Sequence, residues 1–216
     1  MNTLPYRKPT QLKCTRIAAL VVAVAAAAPV RGDPQPPDPP KLESLRGTMI
    51  TIISEDMTFP AKIWAKGNTT RLDVTQGQQT AISIQLGDTL YTYLQGSKEM
   101  GRKQHLGTGL ASMGLIKQIE EVKAKGKKQG VEQIEGLRYH KYEYDVNAPG
   151  EMAVVYLSAE TSLPRLWVST IQTADKDTSL MQMFFRDLKA NVHIPDSMFK
   201  LPAGVTFSEK PPTKKP

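Results

Sequence analysis

Three histidines are the residues of this sequence best suited to metal binding or general base catalysis. His105, His140 and His193 stand far apart along the chain. None belongs to a His-x-x-x-His pair, the spacing that brings two imidazoles to one zinc ion. The Gly-x-Ser-x-Gly elbow of serine hydrolases does not occur either. We therefore predict no catalytic residue, no metal site and no enzyme activity, and we interpret the histidines as surface or strand residues.

A glycine-rich segment, GTGLASMG (residues 107–114), looks at first sight like a phosphate-binding loop. In dinucleotide-binding loops the glycines follow a Gly-x-Gly-x-x-Gly register, because the backbone must approach the phosphates closely. Here Ser112 stands where the third glycine belongs. We interpret the segment as a flexible entry to a helix, with anion binding as the alternative, and we predict no cofactor.

Methionine is the residue through which this chain could bind soft apolar groups. The sequence has nine methionines, and the flexible thioether side chain adapts to apolar ligands of irregular shape. The alternative is ordinary filling of the core. Several of them are candidates for such a role: Met49, Met57, Met113, Met152, Met181, Met183 and Met198.

The N-terminus has the pattern of a secretory signal peptide. Basic residues precede the apolar run IAALVVAVAAAA (residues 17–28), which is too short to span a bilayer. We predict a signal peptide over residues 1–32, removed on export, with an uncleaved anchor as the alternative. The single cysteine, Cys14, would leave with it, so the exported chain would have no disulfide and no thiol nucleophile.

The net charge of +7 is concentrated at the two ends of the chain. Five basic and no acidic residues lie in the first 32 positions, and three more lysines lie in the tail. The middle is close to neutral, which argues against nucleic acid as a partner. Proline-rich sequence predicts a spacer over residues 33–46 and a disordered tail over residues 210–216.

Between these ends, over residues 47–209, apolar and polar residues alternate with a period of two. In AISIQL, for example, Ile82 and Ile84 alternate with Ser83 and Gln85. Short turns such as Gly87-Asp88 separate the strands, which predicts an antiparallel meander with one apolar face. The fold class is therefore mainly β (α+β), with about ten strands in a curved sheet that leaves a groove.

One segment, residues 109–126, has helical spacing instead. Its apolar residues form one stripe, and Gly126 is a natural stop. A single amphipathic helix should pack on the concave apolar face of the sheet. We predict that the helix and this face line a hydrophobic ligand-binding cavity formed by Ile50, Ile52, Ile63, Leu72, Ile82, Ile84, Leu115, Ile116, Ile119, Val122, Met181, Met183 and Phe185.

Residues 61–103 resemble the core of the LolA-like superfamily of periplasmic lipoprotein carriers. The shared features are a strand that ends in Trp and a basic residue, an Arg strand, a Gly-Asp turn and an aromatic strand, carried here by Trp64, Lys66, Arg71, Gly87, Asp88, Tyr91, Tyr93 and Lys98. The segment IPDSMFKLPAGVTFSE (residues 194–209) is similar to the closing signature of the family. The resemblance, over residues 47–209, implies an unclosed β-barrel of about eleven strands that holds acyl chains.

Two departures bear on the transport cycle that the resemblance implies. The family's N-terminal lid helix has too little room after the spacer, and Lys66-Gly67 stands where carriers have Arg-Pro. We therefore expect a monomeric periplasmic carrier of lipid acyl chains or lipoproteins, with membrane proteins of the envelope as candidate partners. The alternatives are a lipid-sensing or protein-interaction module, and a hydrolase whose residues converge only in the folded chain.

Overall fold

The computed structural model describes residues 39–54, 57–97, 101–107, 109–146, 152–172 and 178–209. The predicted signal peptide, most of the spacer and the predicted tail lie outside these ranges. Within the described ranges, no helix combines the length and the apolar composition that a membrane crossing requires.

Twelve strands, one α-helix and two short 3-10 helices make up the described chain. In chain order they are β1 (Ser44–Ser54), β2 (Met57–Lys66), β3 (Thr69–Gln76), β4 (Gln79–Leu86), β5 (Thr89–Leu94), β6 (Gly101–His105), a 3-10 helix (Leu110–Ser112), α1 (Leu115–Lys125), β7 (Lys127–Ile134), β8 (Leu137–Asp145), β9 (Met152–Ser158), β10 (Pro164–Gln172), β11 (Thr178–Ala190), a 3-10 helix (Asp196–Phe199) and β12 (Phe207–Ser208).

The strands form one sheet in the order β12-β6-β5-β4-β3-β2-β1-β11-β10-β9-β8-β7. Strands β1 to β6 and β7 to β11 are two antiparallel meanders, and the pairing of β1 with β11 joins them. The two outer strands, β12 and β7, do not pair with each other, so the curved sheet is not closed into a barrel. The predicted fold class is confirmed: a mainly β chain with an unclosed antiparallel sheet and one helix against it.

The first strand begins at Ser44, three residues before the predicted start of the folded part at Gly47. Leu42 and Leu45, which we assigned to the spacer, are both buried in the core. Only the residues before them have the proline density that excludes regular structure. Burial of these two leucines explains why the fold extends further towards the N-terminus than the composition indicated.

The last strand, β12, has only two residues and pairs parallel to β6. The ring of Phe207 lies edge-on to Tyr91, with centroids 5.2 Å apart. A Cβ at Gly101 would lie 2.5 Å from the Phe207 ring, so only glycine allows this approach. The Phe207 ring and the two-residue ladder together hold this segment on the sheet.

The sheet has two apolar cores, one on each face. On the helix face, Ile63, Val155 and Phe185 pack with α1 in the larger core. On the opposite face, Ile82 and Ile84 pack with Ile194 and Phe199 in a smaller one. Because side chains alternate along a strand, every residue of a paired row can be assigned to one of these two faces.

Candidate functional site

Helix α1 covers the middle of the helix face. Leu115, Ile116, Ile119 and Val122 are all buried against the sheet, as the helical spacing predicted. The helix ends at Gly126, whose amide donates to the Val122 carbonyl at 2.8 Å. A Cβ at Gly126 would lie 2.4 Å from that same oxygen. The predicted stop is therefore confirmed, and its cause is the close approach of the backbone.

The N-terminus of α1 is held by the turn between β2 and β3. The amide of Gly114 donates to Asn68 Oδ1 at 2.8 Å, and the amide of Leu115 donates to Thr70 Oγ1 at 2.7 Å. Thr70 is buried, so these bonds supply partners that water cannot reach. Both amides are already bound, which supports our interpretation of the glycine-rich segment as the entry to a helix.

Gly114→Ala should loosen this contact. An added Cβ would lie 2.5 Å from the carbonyl carbon of Asn68 and 2.8 Å from the amide nitrogen of Thr69, both backbone atoms. We expect a loss of about 2 kcal/mol in the free energy of unfolding, as for other overpacked sites. Urea denaturation of the variant beside Ala111→Gly, at an exposed position of the preceding 3-10 helix, measures it; equal stability of G114A and wild type would contradict the contact.

The predicted cavity residues divide between the two faces. Four positions predicted to face the helix, Ile50, Ile52, Ile82 and Ile84, lie on the opposite face, so our prediction of one continuous apolar face is wrong for them. Their cross-strand partners fix this, since Ile50 pairs with Phe184 while its neighbour Met49 pairs with Phe185 of the helix-face core. The other predicted residues share the helix face: Ile63, Leu72, Leu115, Ile116, Ile119, Val122, Met181, Met183 and Phe185.

The error has a physical cause. In β1, apolar residues occupy both sets of alternate positions, so the period of two cannot say which set faces the helix. In β4, the helix face carries Ser83 and Gln85, and the buried Gln85 amide donates to the Gly87 and Ala111 carbonyls at 3.0 Å each. In β4 it is therefore the polar side chains that lie on the helix face, where Gln85 binds the backbone at the entry to the helix.

The helix is too short to cover the whole helix face. Its eleven residues span about 16 Å, whereas a sheet of twelve strands is about 50 Å wide. Beyond the helix, at the end of the sheet where β2 begins and β5 ends, the apolar surface continues. We call this surface the open end; its residues are Met57, Phe59, Val74, Leu94, Met181 and Met183.

The open end is accessible to solvent. Met57 is 48% exposed and Leu94 is 41% exposed, while the other four side chains are half-buried. Of these residues, we predicted Met181 and Met183 as part of the cavity, and we did not predict Met57, Phe59, Val74 or Leu94. The signal was present in β2, where Phe59, Ala61 and Ile63 are separated by Pro60 and Lys62.

A C-terminal strap (residues 192–201) covers the part of the opposite face that β2 to β5 form. Phe199 and Ile194 of the strap are buried on Ile82 and Ile84, and Ile84 has no exposed surface. Phe199 therefore anchors the strap on the strands of this face. Ile82 and Ile84 are therefore held inside a packed core.

Arg71 is the central polar residue beneath the strap. Its guanidinium donates to Asp73 through Nε at 2.7 Å and Nη2 at 2.9 Å, and through Nη1 to the Met198 carbonyl at 2.9 Å. It also lies over the Trp64 ring, 5.6 Å from the centroid. The hydrogen bond to Asp73 raises the pKa of Arg71, although burial opposes the rise. These contacts give Trp64 and Arg71 a role in fixing the strap.

A polar cleft of about 340 Å³ lies where the start of β1 meets the strap. Its groups bind one another: Ser44 Oγ donates to the Val192 carbonyl at 2.7 Å, and the Glu43 amide donates to Asn191 Oδ1 at 2.9 Å. Lys66 and Asp196 form an ion pair of 2.6 Å beside it. These bonds join the two ends of the fold, which is a structural role.

The histidines do not converge. His105 and His193 are exposed, and His140 is half-buried in β8. Burial lowers the pKa of His140, and the neighbouring cations Lys128, Arg138 and Lys123 lower it further. Within the described ranges, no three His, Cys, Asp or Glu side chains gather in a way that could hold a metal ion.

By sequence, no family model and no curated protein matches this chain. By structure, it is similar to an uncharacterized conserved protein from Thermus thermophilus, at a TM-score of 0.51 and 9% identity over 77% of this chain and 90% of that one. This likeness shows a shared fold.

Two further matches have lower scores. MucB of Pseudomonas aeruginosa, solved with MucA, matches at a TM-score of 0.41 and 12% identity over 74% of this chain and 56% of that one. A LolA superfamily protein from Nitrosomonas europaea matches at a TM-score of 0.39 and 11% identity over 76% of this chain and 92% of that one.

Proposed function

We propose that this protein is a periplasmic binder of lipid acyl chains, acting as a carrier of lipids or lipoproteins in the cell envelope. The observation that carries the proposal is the open end, an apolar surface beside the helix that α1 does not cover. Exposed apolar surface of this kind typically marks a partner or ligand site. The apolar run at the N-terminus and the sequence resemblance to periplasmic lipoprotein carriers support the location and the class of ligand.

The chemistry of the open end suits a flexible hydrocarbon chain. Met181 and Met183 follow one another on the helix face of β11, so two adaptable thioethers border the packed core. Val74 and Leu94 extend the apolar surface across β3 to β5. An acyl chain laid over these residues would gain about 0.8 kcal/mol for each methylene removed from water.

Met57→Glu should weaken acyl binding without unfolding the protein. The residue is 48% exposed on the helix face, so the charge stays hydrated in the free protein and is desolvated only when hydrocarbon covers it. We expect about a tenfold or larger rise in the Kd of a fluorescent long-chain fatty acid. Fluorescence titration of wild type, M57E and L94E, with thermal melting as the check on folding, measures it.

Thr58→Glu is the matched control, because Thr58 is exposed next to Met57 and lies on the opposite face. Wild type should bind the probe with micromolar affinity or better, and T58E should bind like wild type. Equal effects of M57E and T58E, or no probe binding by wild type, would contradict the proposal. Native mass spectrometry of protein purified from its own envelope would identify a lipid or a protein partner directly.

A further inference from the structure

The opposite face carries a second surface that the C-terminal strap does not account for. Ile50 of β1, Phe184 of β11 and Leu166 of β10 form one cross-strand row. All three side chains are half-buried, and Leu180, further along β11, is 44% exposed. The strap packs on residues of β2 to β5 instead. An apolar row therefore remains at the centre of the sheet on this face.

A β-bulge places cations beside this row. The register between β1 and β11 shifts between Arg46 and Thr48, so that Thr48 pairs with Arg186 while Arg46 pairs with Lys189. Asp187, at the bulge, has a φ of 52°, a backbone conformation that is strained for a residue other than glycine. Without the extra residue, Arg186 and Lys189 would point to different faces; with it, both lie on the opposite face.

Gly47 is the residue that makes room for the bulge. A Cβ there would lie 2.6 Å from Leu188 Cδ2 and 2.8 Å from the Arg186 carbonyl oxygen. Leu188 packs against the core of the helix face. The geometry of this segment is thus fixed by packing on one face, and it determines where the cations stand on the other.

Four basic side chains lie beside the apolar row on the opposite face. Arg46, Lys62, Arg186 and Lys189 are exposed, and their strand partners place them on three adjacent strands of the opposite face. Within the part of the chain that the structure describes, none of the four forms an ion pair, and this includes pairing with the nearby Asp187. We call the four cations with Ile50, Leu166 and Phe184 the basic–apolar patch.

The charge and the backbone of the patch narrow the choice of partner. A second copy packed through the same patch would bring like charges together, which disfavours a symmetric dimer. A peptide would need partners for its amides, yet the backbone groups of these central strands are already used in the ladder. Phosphate groups need only cations, and the glycerol and acyl region beneath them suits an apolar row.

We propose that the basic–apolar patch binds the phosphate groups of anionic phospholipids at a membrane surface. Binding here is separate from the acyl site, because the open end lies on the helix face. The patch would bring the protein to the bilayer, with Arg46, Lys62, Arg186 and Lys189 at the headgroups and Phe184 against the glycerol region.

The test compares two double variants of equal net charge on vesicles of phosphatidylglycerol with phosphatidylcholine. R186Q/K189Q removes two cations of the patch, and K127Q/K128Q removes two exposed lysines of β7. By sedimentation, the partition coefficient of the first should fall about 25-fold, since each cation near an anionic surface contributes about fivefold. The second should change about threefold or less. Every protein retains the full chain, so the basic N-terminus contributes equally.

Further measurements distinguish binding to a lipid phosphate from binding to a soluble phosphate or to an acidic polypeptide. Phe184→Gln should lower vesicle binding with unchanged far-UV circular dichroism. On vesicles of phosphatidylcholine alone, wild type and R186Q/K189Q should have the same partition coefficient, because the patch does not bind there. Equal losses in the two double variants, or no loss in R186Q/K189Q, would overturn the proposal. So would patch-dependent binding of soluble glycerol phosphate or polyglutamate without binding to vesicles. The fatty-acid probe should bind R186Q/K189Q like wild type, which keeps this test distinct from that of the acyl site.

Discussion

Ile119→Asp is expected to lower the free energy of unfolding by roughly 4 kcal/mol or more. Ile119 is 1% exposed at the centre of the core between α1 and the sheet. Truncation of a buried isoleucine alone costs about 2–5 kcal/mol. The substitution also places a carboxylate among aliphatic and aromatic side chains. Because α1 is the one long helix on this face of the described chain, its loss would expose the apolar sheet beneath it.

The sign of the pH dependence follows from the burial of the new group. A buried carboxylic acid has a higher pKa in the folded state than in the unfolded state, because burial disfavours the charge. The folded variant therefore binds more protons, and its deficit should shrink as the pH falls from 7 to 4. Urea denaturation at both values measures this. Ala124→Asp, on the exposed side of the same helix, is the control and should cost about 1 kcal/mol or less.

If Ile119→Asp melts like wild type at pH 7, then α1 is not packed on the sheet as described. If it melts early but shows the same deficit at pH 4, the cost comes from lost packing and not from the buried charge. Binding of the fatty-acid probe gives a second measurement. Met183 of the open end packs against the core that contains the buried residues of α1.

Arg71→Ala should destabilise the protein by about 3 kcal/mol, the cost of leaving one member of a largely buried ion pair alone. The side chains of Arg71 and Asp73 are each 15% exposed. Removal of the guanidinium would leave the Asp73 carboxylate with no partner for its two hydrogen bonds and would free the Met198 carbonyl of the strap. We expect faster hydrogen exchange over residues 192–201 as well as a lower midpoint in urea.

Two comparisons test whether the loss of stability in Arg71→Ala comes from the unpaired Asp73 carboxylate and the freed strap. Arg71→Ala with Asp73→Ala should be more stable than Arg71→Ala alone, because the double variant buries no unpaired charge. Lys66→Ala removes the ion pair between β2 and Asp196 of the strap, whose partners are 48% and 81% exposed, and should cost less than Arg71→Ala. A larger loss in K66A than in R71A would show that the exposed pair, and not Arg71, holds the strap.

The sequence predicted best the helix and those strands that are amphipathic and lie away from the two ends of the sheet. The stripe of α1, its end at Gly126 and most of the strands follow from spacing and turn residues alone. The strands it did not predict are β6 and β7, near or at the two ends of the sheet. KKQGVEQI, which forms β7, is almost wholly polar and exposed because it pairs on one side and buries little. Strands of this kind lack the alternating apolar pattern that burial imposes.

The choice of face was decided only by the tertiary structure. Alternation shows that Met49 and Ile50 point to opposite faces of β1, but only the pairing of strands and the packing of α1 decide which of the two lies on the helix face. The strap of residues 192–201 gives Ile82 and Ile84 a separate core, and it comes from a part of the chain more than a hundred residues away. Sequence spacing cannot register such a contact, since it arises when distant segments meet.

For this protein, then, composition and periodicity determined a mainly β chain with one amphipathic helix and no evident catalytic cluster. The open end and the basic–apolar patch appeared only with the fold. The open end exists because an eleven-residue helix meets a twelve-stranded sheet. The patch exists because a bulge at Asp187 turns Arg186 and Lys189 to one face. In both cases the surface is set by how elements pack and register, and local sequence fixes neither.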